Sequence, residues 1–191
     1  MKNKANKILS LLLAIAMLVT FCLPVMAADG VMKETGVFEL NAYNAQGNLI
    51  WTEDIKNDIA NEGQYMFLDV TLRNGTAPAG YYIRLYNTTP TKTSTLSGLT
   101  GEPSTNGYAA QAVARNSTGW PTLALDTGDY QGQTLTTTFN ATGGSWGPVT
   151  YAVLATTSDN TGKLVSFAAL SQSRTLASGE SLQVTYKLKL Q

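Results

Sequence analysis

From Leu182 to Gln191 apolar and polar side chains alternate without a break. Leu182, Val184, Tyr186, Leu188 and Leu190 face one way, and Gln183, Thr185, Lys187, Lys189 and Gln191 face the other. A period of two marks a strand with one buried face, and a strand of that kind obliges the chain to supply a second layer to cover it. The same period recurs upstream. "VFELNAY" (37 to 43) puts Phe38, Leu40 and Ala42 on one side, and "NAQGN" then offers a hairpin-type turn before "LIW" resumes extended chain. "YYIRLYN" alternates Tyr81, Ile83 and Leu85 with Tyr82, Arg84 and Tyr86, and "TLTTTFNAT" does so through Leu135, Thr137 and Phe139. "GKLVSFAALS" is apolar on both faces, as a central strand must be, while "SDNTGK" (158 to 163) and "ASGES" (177 to 181) read as hairpin loops. In "GGSWGPVTYAVL" (143 to 154) Pro148 sits at a strand's beginning, where its missing donor does least harm. Trp146 is then expected to cover the end of the sandwich or an interface with another subunit.

One helix interrupts the strands. Thr52 is placed to cap it, Glu53 and Asp54 fall in its first turn, and Ile55 and Ile59 lie four apart. Gly63 interrupts the run, "QYMFLDVTL" turns Met66, Phe67 and Val70 inward, and Asn74-Gly75 ends it. The expected fold is mainly β: an antiparallel β-sandwich, jelly-roll or immunoglobulin-like, with one short α-helix near the N-terminus at about 52 to 72. Residues 88 to 107, dense in Thr, Ser, Gly and Pro, read as a long surface excursion.

Residues 1–27 carry a basic start (Lys2, Lys4, Lys7), an apolar run and a small-residue cleavage site after Ala27, the order of a secretory signal peptide. Phe21 stands where a lipobox before Cys22 wants a small residue, so Cys22 is expected to leave with the signal. The remaining 164 of 191 residues suffice for one domain, 28 to 191. Three of the thirteen basic residues and none of the thirteen acidic ones lie in the first 27, which leaves a net charge of about −3. That balance argues against nucleic acid as a partner, and after cleavage against membrane.

The chain has no histidine, and its one cysteine is Cys22. Disulfide stapling, thiolate or imidazole metal sites and histidine-based acid–base chemistry are therefore unavailable to residues 28 to 191, and no cofactor or metal site is expected. A carboxylate pair could still hydrolyse glycosides, yet Asp126 and Asp129 of "LDTGDY" fall in a turn and Glu53 with Asp54 at a helix start. "LDTGDY" also lacks the spaced oxygen series of a known calcium loop. Aromatic side chains are the better candidates for binding: Trp120 in "TGWPTL", Tyr108 and Tyr130, together with the Tyr81, Tyr82 and Tyr86 group, set against the demand of any strand for aromatics in its core. Sequons begin at Asn74, Asn87, Asn116 and Asn140 and matter only in a glycosylating host.

Taken in order, three stretches resemble small phage virion proteins of the tail-fibre, minor tail or structural type. In "NAQGNLIWTEDIKNDIANEGQYMFLDVTLRNGTAPAGYYIRLYN" the matching residues are Asn57, Asn61, Glu62, Gly63, Leu68, Asp69, Val70, Tyr81, Tyr82 and Leu85. "GYAAQAVARNSTGWP" is similar to that group's "G-Y-x-R-Q-A-V" segment, with Ala110 where an Arg is common, and "SWGPVTYAVLATTSDNTGKLVSFAALSQSRTLASGESLQVTYKLKL" resembles its closing strands. The likeness covers nearly all of 36 to 191 and carries no catalytic motif. It implies a structural role. Virion proteins need no export signal, so a signal peptide here implies a bacterial protein using the scaffold outside the cell. The expected function is a secreted, non-enzymatic subunit that polymerises with itself by strand pairing from its terminal strands into a filament, appendage or surface layer. Two alternatives remain open: an adhesin or carbohydrate-binding module that uses Trp120, Tyr108 and Tyr130 on cell-surface glycans, or a phage tail-fibre or minor tail protein.

Overall fold

The structure, a computed structural model, describes residues 34–190. The expected signal peptide and Gln191 lie outside the described residues. Two antiparallel sheets make up most of what is described. The first contains β1 (Glu34–Tyr43), β2 (Leu49–Lys56), β6 (Thr122–Asp126), β7 (Asp129–Gln133), β8 (Thr137–Asn140) and β11 (Ser181–Leu190), in the order β2-β1-β11-β7-β6 with β8 also on β11. The second contains β3 (Asp58–Ile59), β4 (Gly80–Tyr86), β5 (Gln111–Ala114), β9 (Trp146–Ala155) and β10 (Leu164–Leu176), in the order β3-β10-β9-β4-β5. Phe38, Leu40, Leu182 and Val184 of the first sheet share one buried cluster with Ile83, Leu85, Ala152 and Leu154 of the second. This is an arrangement consistent with a β-sandwich.

The alternating strand that closes the sequence lies in the middle of its sheet. β11 pairs with β1 from Ser181↔Tyr43 to Leu190↔Glu34. Its other edge is shared, with Ser181–Val184 on β8 and Lys187–Lys189 on β7. β1 is likewise paired on both edges, with β11 and β2. Ladders within the chain thus satisfy both edges of β1 and of β11 where they are described, and residues 28–33 of the segment expected to pair with a neighbour lie outside the described residues.

The helix, α1 (Asn61–Leu72), follows three strands and begins nine residues later than expected. Residues 52–56 belong to β2 instead. "TEDIK" satisfies an i,i+4 helical spacing and a period of two alike, and the ladder to β1 (Asn41↔Thr52, Phe38↔Ile55) decides between them. Thr52 caps no helix, Glu53 ion-pairs with Arg174 at 3.2 Å, and Ile55 and Ile59 are buried strand residues. Within α1 the expected inward residues hold: Met66 joins the main core, and Phe67 and Val70 pack on it. Gly63 lies so close to the Val165 carbonyl that a methyl there would strike it. After Leu72 the chain turns out at Asn74 (φ 56°), and the Gly75 N–H closes on the Asp69 carbonyl at 2.9 Å.

The second sheet is covered twice. Its outer face meets the 88 to 107 excursion, which turns Leu96 and Leu99 into a second cluster with Tyr86, Val153, Ala155, Leu164 and Phe167. Its apolar-on-both-faces strand, β10, is thereby accounted for: Val165 and Ala168 look into the main core, Leu164 and Phe167 into the second.

Candidate functional site

The excursion is pinned as well as packed. Arg84 points outward from β4 yet is only 2% exposed. Its guanidinium forks onto Glu102 of the excursion, Nε to Oε1 at 2.9 Å and Nη2 to Oε2. Nη1 donates to the Asp159 carbonyl at 2.6 Å, and Nη2 donates also to Asn160 Oδ1 at 2.9 Å. Asn160 in turn donates from Nδ2 to the Leu99 carbonyl at 3.1 Å and accepts from the Tyr86 hydroxyl at 3.1 Å. Burial alone would depress the Arg84 pKa, but the bonds to Glu102 outweigh it and hold the guanidinium above its ordinary value. The side-chain polar groups of Arg84, Glu102, Asn160 and Tyr86 are engaged in tying the excursion and the 158 to 163 turn to β4. A forked Arg–carboxylate pair fixes geometry; here the guanidinium is buried, the carboxylate half-buried, and both are occupied.

Tyr108 belongs to the same clasp. Its hydroxyl accepts the Leu85 N–H at 2.8 Å and donates to Glu102 Oε1 at 2.9 Å. Its ring lies against Phe139 (centroids 5.5 Å, 22°) and edge-on to Trp146 (5.3 Å, 75°). Burial first, and the Glu102 carboxylate second, push the phenols of Tyr108 and Tyr86 far above the usual tyrosine value. Trp146 itself is buried, and its indole N–H donates to the Asn140 carbonyl at 3.0 Å, so it caps the core from inside.

Trp120 sits in a different aromatic group, edge-on to Tyr81 (5.8 Å) and Tyr186 (6.2 Å). It is half-buried, and it lies over Gly132 of β7, where a Cβ would stand 3.5 Å from the indole. Tyr130 is 59% exposed and pairs across the hairpin with Leu125. Ring contacts therefore divide the three aromatic candidates: Tyr108 with Phe139 and Trp146, Trp120 with Tyr81 and Tyr186, and Tyr130 out on the β6–β7 hairpin. Asp126 and Asp129 are the closing pair of that hairpin's two-residue turn, Thr127 (φ 51°) and Gly128 (φ 98°). Lys189 Nζ lies 3.4 Å and 3.7 Å from their carboxylates, which assigns both to a turn and an ion-pair cluster.

The residues that sequence reasoning passed over are on this hairpin. Leu123 and Leu125 share a face with Tyr130 and Gly132, and through Leu188↔Gly132 that face continues the core-facing side of β11. It extends beyond the cover of the second sheet, so Leu123 is 76% exposed, Leu125 63%, Tyr130 59% and Leu190 43%. A cluster of large apolar side chains left in water on a sheet face marks an interaction surface. The signal available beforehand was "TLALD", whose alternating leucines lie between two turns. Elsewhere, an open groove of about 480 Å³ is lined by Gly80, Tyr82, Ala112 and Ala114 against Thr157 and Asp159. The hydroxyl and N–H of Thr161 lower the Asp159 pKa and keep that carboxylate ionised.

No curated protein matches the chain. A family model, that of the podophage GP4 fiber I protein gp80, matches residues 58–188, from β3 into β11. The match takes in the whole second sheet, the helix, the clasped excursion and the β6–β7 hairpin. With well over half of its length inside that match, the chain belongs to the family of the podophage GP4 fiber I protein gp80, a structural protein of the phage tail-fibre type.

Proposed function

We propose that the chain is a secreted, non-enzymatic structural subunit that assembles with itself into an extracellular filament, appendage or surface layer on a phage-fibre scaffold. The observation that carries this reading is the match of residues 58–188 to a fibre protein. The engagement of Arg84, Glu102, Asp126 and Asp129 in structural contacts supports the non-enzymatic part. The basic, apolar and small-residue order of residues 1–27 supports export. Two sheets of this kind occur in jelly-roll and immunoglobulin-like sandwiches alike, and the reading is the same for either. Negative-stain microscopy of the secreted fraction and of purified protein is the test. Ordered polymers, together with a mass-spectrometric N-terminus at Ala28, are expected; a monodisperse monomer retained in the cytoplasm would refute the proposal.

A second reading, a glycan-binding module, rests on the groove beside Tyr82, where an aromatic ring on a floor of small residues meets hydroxyls and an ionised carboxylate. Such a site suits a sugar, with C–H groups on the ring and hydroxyls on the polar wall. A glycan array probed with the wild type, Tyr82→Ala and Trp120→Ala separates the sites. Binding lost only with Tyr82→Ala places it in the groove, and no binding by any of the three removes the reading.

A further inference from the structure

We infer that β6 is an assembly edge and that it pairs antiparallel with β6 of a second copy of this chain, in a register centred on Ala124. The inference rests on the self-assembly reading above and supplies the surface that the described residues of the terminal strands do not. Four observations carry it. First, β6 ends its sheet, with β7 its neighbour on one side only. Second, ladder bonds alternate along an antiparallel pair. Counting out from the closing pair Asp126↔Asp129, the backbone N–H and C=O groups of Leu123 and Leu125 are the ones directed at the free edge.

Third, the strand is self-complementary. In the centred register Leu123 meets Leu125 of the partner subunit, Thr122 meets Asp126 of the partner subunit, and Ala124 meets Ala124 of the partner subunit. No like charges are opposed, each hydroxyl faces a carboxylate that can accept from it, and the outward backbone groups fall opposite one another. Fourth, the twofold axis that relates such strands keeps both apolar hairpin faces on the same side of a continuous sheet. Leu123, Leu125 and Tyr130 of the two copies become neighbours there. Other edges fit less well: β3 offers two residues, β2 carries Glu53, Asp54 and Lys56, and β5 presents only alanines outward. The helix stripe Tyr65, Leu68 and Leu72 is exposed and apolar too, but a helix offers no backbone ladder.

Sedimentation velocity over a concentration series tests the edge with the wild type and with Leu123→Lys/Leu125→Lys, whose positions are exposed enough to leave the fold intact by circular dichroism. The wild type should self-associate, and the double variant should weaken association by at least a hundredfold, on the order expected for losing apolar contacts and opposing cations. Ala124→Cys in a Cys22→Ser background tests the register. The central pair of an antiparallel junction brings Cα atoms to about 4.5 Å, within disulfide reach, so oxidation should give a covalent dimer, while Ala112→Cys on β5 should not. Assembly that survives the double lysine variant, or crosslinking through Ala112→Cys alone, overturns the β6 edge and leaves self-assembly standing. A wild type that stays monomeric at its highest soluble concentration overturns both.

Discussion

The second sheet and the β6–β7 hairpin place similar residues in opposite circumstances. On the second sheet both faces are apolar and both are covered, one by the first sheet and one by the excursion that carries Leu96 and Leu99. On the hairpin Leu123 and Leu125 sit on a face continuous with the core but uncovered. Covered leucines hold a fold together through area removed from water, whereas uncovered ones contribute little to the monomer and are available to a partner. The chain devotes the Arg84–Glu102 ion pair and some twenty residues of loop to closing the first surface, and among the described residues no comparable segment closes the second. That contrast, with the aromatic candidate Tyr130 on the same hairpin face, is the ground on which the proposed β6 assembly edge rests.

The largest effect on this contrast should come from opening the clasp. Glu102→Ala leaves the Arg84 guanidinium buried without its carboxylate, a change that costs about 3–5 kcal/mol in comparable pairs. Urea unfolding should show a loss of that order. A loss below about 1 kcal/mol would mean that the excursion is held by packing alone. Next in size, Leu96→Ala should cost about 2–5 kcal/mol as a buried large-to-small change, and native-state hydrogen exchange should then rise along β9 and β10.

Alkaline pH reaches the same clasp without mutation. Tyr86 and Tyr108 have folded pKa values raised well above 10, while the unfolded chain releases those protons near 10. Their contribution is therefore complete below about pH 10 and falls as pH rises beyond it. Tyrosinate absorbance should show these two of the nine tyrosines titrating only as the fold is lost. Stability that stays flat to pH 11.5, roughly a unit and a half above the unfolded value, would contradict their burial. The smallest effect belongs to the hairpin: Leu123→Ala, at an exposed site, should change monomer stability by no more than about 0.5 kcal/mol.

How much of this was legible in the sequence follows the same division. Strands β4, β10 and β11 were readable because their side chains must satisfy a fixed geometry, period two or apolar on both faces, that few other structures tolerate. The inward set Met66, Phe67 and Val70 was readable for the same reason. The start of α1 was not, because Ile55 and Ile59 fit a helix and a strand equally, and only the pairing of β2 with β1 and of β3 with β10 separates the two. Arg84 gave no sign of burial, since its partner Glu102 lies in a Gly- and Pro-rich stretch with no periodicity to tie it to β4. Trp120, Tyr108 and Tyr130 were visible as aromatics, but their division among different surroundings depends on sheet order, which local pattern does not encode. Leu123 and Leu125 were overlooked because alternation signals that a face is apolar and is silent on whether anything covers it.

The central claim is that one apolar surface is closed within the chain and the other between chains. Hydrogen–deuterium exchange of the intact protein at low and high concentration addresses it directly. The account predicts that amides of β6, Leu123 and Leu125 foremost, gain protection as concentration rises, while β4, β9 and β10 are equally protected at both. Exchange in β6 that is unchanged by concentration while the protein assembles would contradict it.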